Sequence, residues 1–191
     1  LRMMQDLHVQ SADVPGALDW LCKVLAARGI QMGSHDDTTA EGRALWRKRG
    51  VRVAEFPETQ EAAEAAAAAG DHVVLGSPNV VRGGSHNGNV SALDLISMGI
   101  GGALASDYHY PSPRRAAFML ADRGVLPLAQ AWHLVSAGPA AVLGLSDRGV
   151  IATGKRADLL VLDAQTRRVA LTMSGGRVSY MSGEIAARFL R

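Results

Sequence analysis

The sequence predicts an α/β fold: half of an eight-stranded (β/α) barrel of the TIM type in residues 1–148, followed by a small β-rich segment in 149–191. Three observations carry this expectation. From Val14 onward a helix-forming stretch, a glycine and a short β-prone run recur in that order four times. Each β-prone run closes in polar residues able to bind a metal or a polar substrate. After Gly149 the helix formers give way to short strand-like runs around Gly175 and Gly176, a hairpin-turn pair.

The elements follow in order. "VPGALDWLCKVLAARG" reads as a helix ending at Gly29, before the run "IQMGSHDD". "TTAEGRALWRKRG" opens with Thr38 three residues ahead of Glu41, a capping-box spacing, and ends at Gly50 before "VRVAEFPE". "ETQEAAEAAAAAG" ends at Gly70 before "HVVLGSPN", and "NVSALDLISMG" ends at Gly99 before "GALASDYH". Runs this short, separated by helices of about a dozen residues, form parallel βαβ units. Between the third run and its helix, "SPNVVRGGSHNGNVS" (77–91) is a long glycine-rich connection of the kind that carries function. Two further helices follow, in "SPRRAAFMLADRG" and from about Leu126 in "LPLAQAWHLVSAGPAAVLGL".

Four βα units also suit a small open sheet. The distribution of chemistry separates the two, because in a barrel the reactive groups come from the C-terminal ends of several strands that share one mouth. Here those ends carry His35-Asp36-Asp37, Glu55 with Glu58, Asn79, and Asp107 with His109. The glycine fingerprint that an open nucleotide-binding sheet favours after its first strand is absent.

Composition bounds the partners. With 191 residues, 48% hydrophobic and 20% charged, the chain can bury one sizeable core. Its 20 basic and 18 acidic residues leave a formal charge of +2 and are scattered, so no nucleic-acid partner is expected. No apolar run approaches the roughly 20 residues of a membrane span, so no membrane partner is expected either. The single cysteine, Cys22, lies among helix formers as a packed thiol and suits a reducing, cytoplasmic setting. The start, "LRMMQDLHVQ", has neither an initiator methionine nor a signal-peptide core and reads as a cut end.

Among the strand-end residues, His35 offers an imidazole suited to zinc, iron or manganese, while Asp36 and Asp37 serve equally well as helix caps. Glu55 is in phase with Val51 and Val53, and a carboxylate pointing inward with them needs a metal or a cation. Glu58 suits the charge of a helix N-terminus. Asp107, at the last strand end, is placed either to ligate an ion and accept a proton from water or to make a turn. Asn79, Arg82 and His86 in the long connection, with His109 and Arg114 after the fourth run, are candidates for binding anionic substrate oxygens. His8, His72 and His133 read as structural.

Taken together, "SHDDTT", "EFPET", "VVLGSPNVVRGGSHNGN", "LASDYHYP" and the closing "GPAAVLGLSDRGVIATGKRADLLVLD" resemble the amidohydrolase superfamily, and within it the diphosphatases of phosphonate metabolism. The likeness runs from about Gly33 to the end. It implies the C-terminal half of the barrel, strands five to eight, and then strands of a small β-sandwich domain. It implies a cytoplasmic metal-dependent hydrolase that cleaves ribose 1-methylphosphonate 5-triphosphate to the 5-phosphate and pyrophosphate. The expected cofactor is a divalent metal, one or two zinc ions, with iron and manganese as alternatives. His35, Glu55 and Asp107 carry over as ligands, and Asp107 also as the catalytic base. Glu55 stands where most of the superfamily has a histidine, which favours this group over deaminases and cyclic amidases, the alternative activities. Expected partners are the phosphorylated ribose phosphonate, the N-terminal half of the same protein, and further copies in a homo-oligomer. A non-catalytic segment that only completes a barrel is the alternative from another class.

Overall fold

The computed structural model of the chain describes residues 10–84 and 88–189. It divides into two compact units, one reaching to Val135 and one formed by Ser136–Arg191.

After a 3-10 turn at Gln10–Asp13, the first unit alternates helices and strands: α1 (Val14–Ala27), β1 (Gly33–His35), α2 (Ala40–Lys48), β2 (Val53–Glu55), α3 (Gln60–Ala68) and β3 (His72–Gly76). Then come α4 (Ser77–Arg82), α5 (Ala92–Ser97), β4 (Ala103–Ala105), α6 (Ser112–Asp122) and α7 (Leu128–His133). The four strands form one parallel sheet in sequence order. Glycines 29, 50, 70 and 99, each with positive φ, stop the helices as the sequence requires.

One face of the sheet packs on the helices. Ala54, Val73, Leu75 and Leu104 point that way and join Ala63 and Ala66 of α3, Leu95 and Ile96 of α5, and Ala116, Ala117 and Leu120 of α6 in one core. Alanine on α3 and α6 lets these helices lie close to the strands. His35, Glu55, Val74 and Ala103 are successive register partners, so they share the other face. Because all four strands run the same way, their C-terminal ends meet at one edge.

The structure differs from the expectations in detail. The cap of α2 is Thr39, whose hydroxyl accepts from Gly42 N at 3.0 Å, not Thr38. The connection 77–91 holds helix α4, with proline in its first turn and Gly83 at its left-handed end, both helix signals. The helix expected from Leu126 is broken into α7 and α8 (Ala137–Val142) at Ser136. Pro139 explains the break, since in a continuous helix its ring would meet the carbonyl of Val135.

The second unit contains α8, an antiparallel sheet of β5 (Leu159–Leu162), β6 (Val169–Ser174) and β7 (Arg177–Met181), and α9 (Gly183–Phe189). Gly175 and Gly176, at φ 55° and 79°, make the expected hairpin turn. This unit begins at Ser136, ahead of the change in composition at Gly149, because Gly149 backs onto α8. A Cβ there would lie 2.8 Å from Ala137 Cα.

Candidate functional site

Three strands deliver strained residues to the common edge. Asp36 follows β1 at φ 60°, Phe56 follows β2 at 53°, and Asp107 lies just past β4 at 49°. Among the described residues the one other non-glycine in this region is Arg167, in the second unit. Aspartate tolerates the left-handed region, whereas a phenylalanine is held there only by its surroundings. Phe56 N donates to Val74 O at 2.9 Å, and Asp36 N donates to Glu55 O at 3.1 Å, so the sheet itself fixes both turns.

These turns frame a cavity of about 240 Å³. His35, Asn79, Arg82 and Asp107 line it, together with Asp36, Phe56, Glu58, Asn89 and Tyr108. His35 Nδ1 stands 3.0 Å from Asp36 Oδ2, and its ring meets Phe56 edge-on with centroids 5.3 Å apart. That arrangement leaves Nε2 as the outward nitrogen. Arg82 donates from Nη2 to the Tyr108 hydroxyl at 3.3 Å, joining α4 to the turn after β4. Three carboxylates, Asp36, Glu58 and Asp107, thus share the lining with one guanidinium, Arg82.

The other sequence candidates are placed differently. Glu55 is in register with His35 and shares its face of the sheet, but it is not among the lining residues. His109 and Arg114 also lie off the lining. The His109 N–H donates to Ser106 O at 3.0 Å and its carbonyl accepts from Ser112, which makes it part of the turn into α6. Arg114 stands within α6. His86 lies outside the described residues. Asn79 lines the cavity with its amide engaged: Oδ1 accepts from Ala92 N at 3.1 Å and Nδ2 donates to Val90 O at 3.5 Å. Asp37 is buried against Arg43, 3.1 Å from its Nη1.

Tyr108 also lines the cavity, although its sequence position marks it as no candidate, as do Asn89 of the long connection and Glu58, a strand-end carboxylate that reads first as helix charge. Asn89 Nδ2 donates to Glu58 Oε1 at 2.9 Å and Val90 N donates to Glu58 O at 2.9 Å, so Glu58 anchors the far end of the long connection. The aromatic following Asp107 in "SDYHY" was the one available signal for Tyr108.

Residues 4–180 match the amidohydrolase family. The chain is 49% identical over 145 residues to the alpha-D-ribose 1-methylphosphonate 5-triphosphate diphosphatase of Escherichia coli K12, covering 74% of this chain and 37% of that protein. It is 49% identical over 55 residues to an adenine deaminase of a Methylobacterium strain, covering 28% of this chain and 10% of that enzyme. The crystal structure of N-acetylglucosamine-6-phosphate deacetylase from Thermotoga maritima superposes with a TM-score of 0.63 at 18% identity, over 86% of this chain and 56% of that one. The chain therefore spans well under two thirds of the length of these relatives, and the superposition supports the α/β half-barrel reading of the fold.

Proteins of the matched family are in general metal-dependent. The donors at the cavity fit a divalent ion in kind, since imidazole nitrogen and carboxylate oxygen both suit zinc, iron or manganese. His35 also has its Nδ1 backed by a carboxylate, as metal-bound histidines do. Among the described residues no three His, Cys, Asp or Glu side chains are drawn together tightly enough to hold an ion.

Proposed function

The chain belongs to the amidohydrolase family, and from that premise we propose that the whole protein is a diphosphatase acting on ribose 1-methylphosphonate 5-triphosphate. The observation that carries this reading is the 49% identity to the Escherichia coli diphosphatase over 74% of this chain. The juxtaposition of His35, Arg82 and Asp107 on one cavity supports it.

In this reading His35 and Asp107 would hold a divalent ion, zinc first and iron or manganese as alternatives, together with ligands from the N-terminal half. Glu55 contributes from the neighbouring strand if a second ion is present. When bound, a divalent ion there would offset the carboxylate-rich lining toward a phosphate and would supply Lewis acidity. Asp107 would accept the proton of the attacking water as its oxygen bonds to phosphorus. The new P–O bond forms as the anhydride P–O bond breaks, so pyrophosphate leaves and the 5-phosphate remains. Arg82, fixed by Tyr108, offsets the negative charge that grows on the phosphate oxygens. His86, His109 and Arg114 remain candidates for outer phosphate contacts. The protein works in the cytoplasm as a homo-oligomer, and residues 1–191 alone are inactive, because half a barrel leaves the ligand set incomplete.

Full-length protein tests this directly. Purified and zinc-loaded, it should release pyrophosphate from the triphosphate, and Asp107→Asn should lower kcat by a hundredfold or more, on the order expected for a lost base. Chelation should abolish turnover and divalent metal should restore it. The match to an adenine deaminase over 55 residues favours a second reading, deamination; release of ammonia from adenine without pyrophosphate release would establish that activity instead.

A further inference from the structure

Arg43 of α2 does not line the cavity, yet only 1% of it is exposed. Its Nη1 donates to Ser34 Oγ and, at 3.1 Å, to Asp37 Oδ2, while the Ser34 hydroxyl donates to the same carboxylate. Ser34 and Asp37 immediately precede and follow the His35-Asp36 pair. One guanidinium therefore straps both ends of a turn whose middle holds a left-handed Asp36 and the imidazole. The opposite end of Arg43 faces the strand entrances: Nη2 donates to Val51 O, and Nε lies 3.4 Å from Asp71 Oδ2. Asp71 pairs in addition with Arg47 and, at 3.6 Å, with Arg52.

We propose that Arg43 is a positioning residue for His35, acting through Ser34 and Asp37 to fix the imidazole at the rim of the cavity. A buried ion pair is a poor means of stabilising a core, because an apolar side chain of similar volume fills the space without desolvating charge. In this network Arg43 Nε and Asp71 Oδ2 are buried and face each other at 3.4 Å without a hydrogen bond, so this contact is an ion pair only. At the Asp37 end, Oδ2 accepts from both Arg43 and Ser34, and this is the end that meets the turn. The two ends thus separate the roles: Asp71 serves the fold and Asp37 serves the geometry of His35.

The proposal rests on His35 being a ligand in the reading above. The test uses the full-length protein, with zinc affinity measured by competition with a chromogenic chelator and thermal stability measured in parallel. Asp37→Asn, which keeps the shape of the side chain, should weaken zinc binding roughly ten- to a hundredfold, the range typical of lost outer-shell support. Arg43→Lys should do the same if it folds, and Asp37→Asn carries the test if it does not. Asp71→Asn should lower Tm and leave zinc affinity within about twofold, far from that range. Zinc affinity that falls in step with Tm in both aspartate variants overturns the positioning role. If His35→Ala weakens zinc binding and Asp37→Asn does not, positioning alone is overturned; if His35→Ala leaves zinc binding unchanged, the ligand reading fails and takes this proposal with it.

Discussion

Arg82 shows how a single side chain acquires a task from its neighbour. Its guanidinium is the one cationic group among the described lining residues, and the Tyr108 phenol fixes where it points. In full-length enzyme, Arg82→Ala should slow turnover about a hundredfold, the order of loss for one transition-state contact in a dry site. Tm should stay near the wild-type value, because neither Arg82 nor Tyr108 belongs to the core. Steady-state kinetics with a thermal melt on the same sample checks both. That His35, Arg82 and Asp107 stand at strand ends or in the glycine-rich connection was legible in the sequence, because such positions announce themselves locally. Tyr108 was not, nor was the anchoring of Glu58 by Asn89 and Val90, since each contact is defined by a partner from a distant part of the chain. Asn79 shows the converse: an amide that reads as a substrate contact is engaged in holding Val90 and Ala92.

Among the elements, the starts of α2 and α3 are laced together. Thr39 and Thr59 cap their own helices, Thr59 Oγ1 also donates to Thr38 O at 2.8 Å, and Glu61 accepts from Ala40 N at 2.9 Å. Thr39→Ala should cost about 1 kcal/mol in denaturant unfolding, the usual worth of an N-cap, and Thr38→Ala should cost less. In the second unit the Asp163 carboxylate accepts from Thr166 N at 2.6 Å, from Thr166 Oγ1 at 2.8 Å and from Gln165 N at 3.1 Å. The Thr166 backbone bond is foremost among the interactions that hold its pKa below the ordinary aspartate value. A carboxyl depressed in the folded state adds stability above its unfolded pKa and loses it as pH falls through the folded one. Asp163→Asn should therefore lower Tm at neutral pH, with the difference closing in acid below the usual aspartate range; melts across pH check it. Helix and strand types were readable from periodicity and terminal glycines. The cap at Thr39 and the break at Ser136 depend on how the chain enters each helix, which periodicity does not encode.

Across the molecule, one helix-facing core organises the first unit. Leu120 of α6 is wholly buried in it, and Leu120→Ala should cost about 2–5 kcal/mol, read from chemical denaturation, with KM unchanged because Leu120 does not line the cavity. The sequence by itself determined the order of elements, the parallel pairing and the identity of the polar strand ends. Those properties follow from short-range rules: glycine where a helix must stop, β-branched and apolar runs too short for helices, connections long enough only for crossovers. Which strand-end residues share a cavity was decided by tertiary structure alone, because it depends on register between strands, on left-handed turns at Asp36, Phe56 and Asp107, and on buried charges such as Arg43. Each of these is a relation between segments that lie apart in the chain, and it acquires a definite geometry only when the core has closed around it.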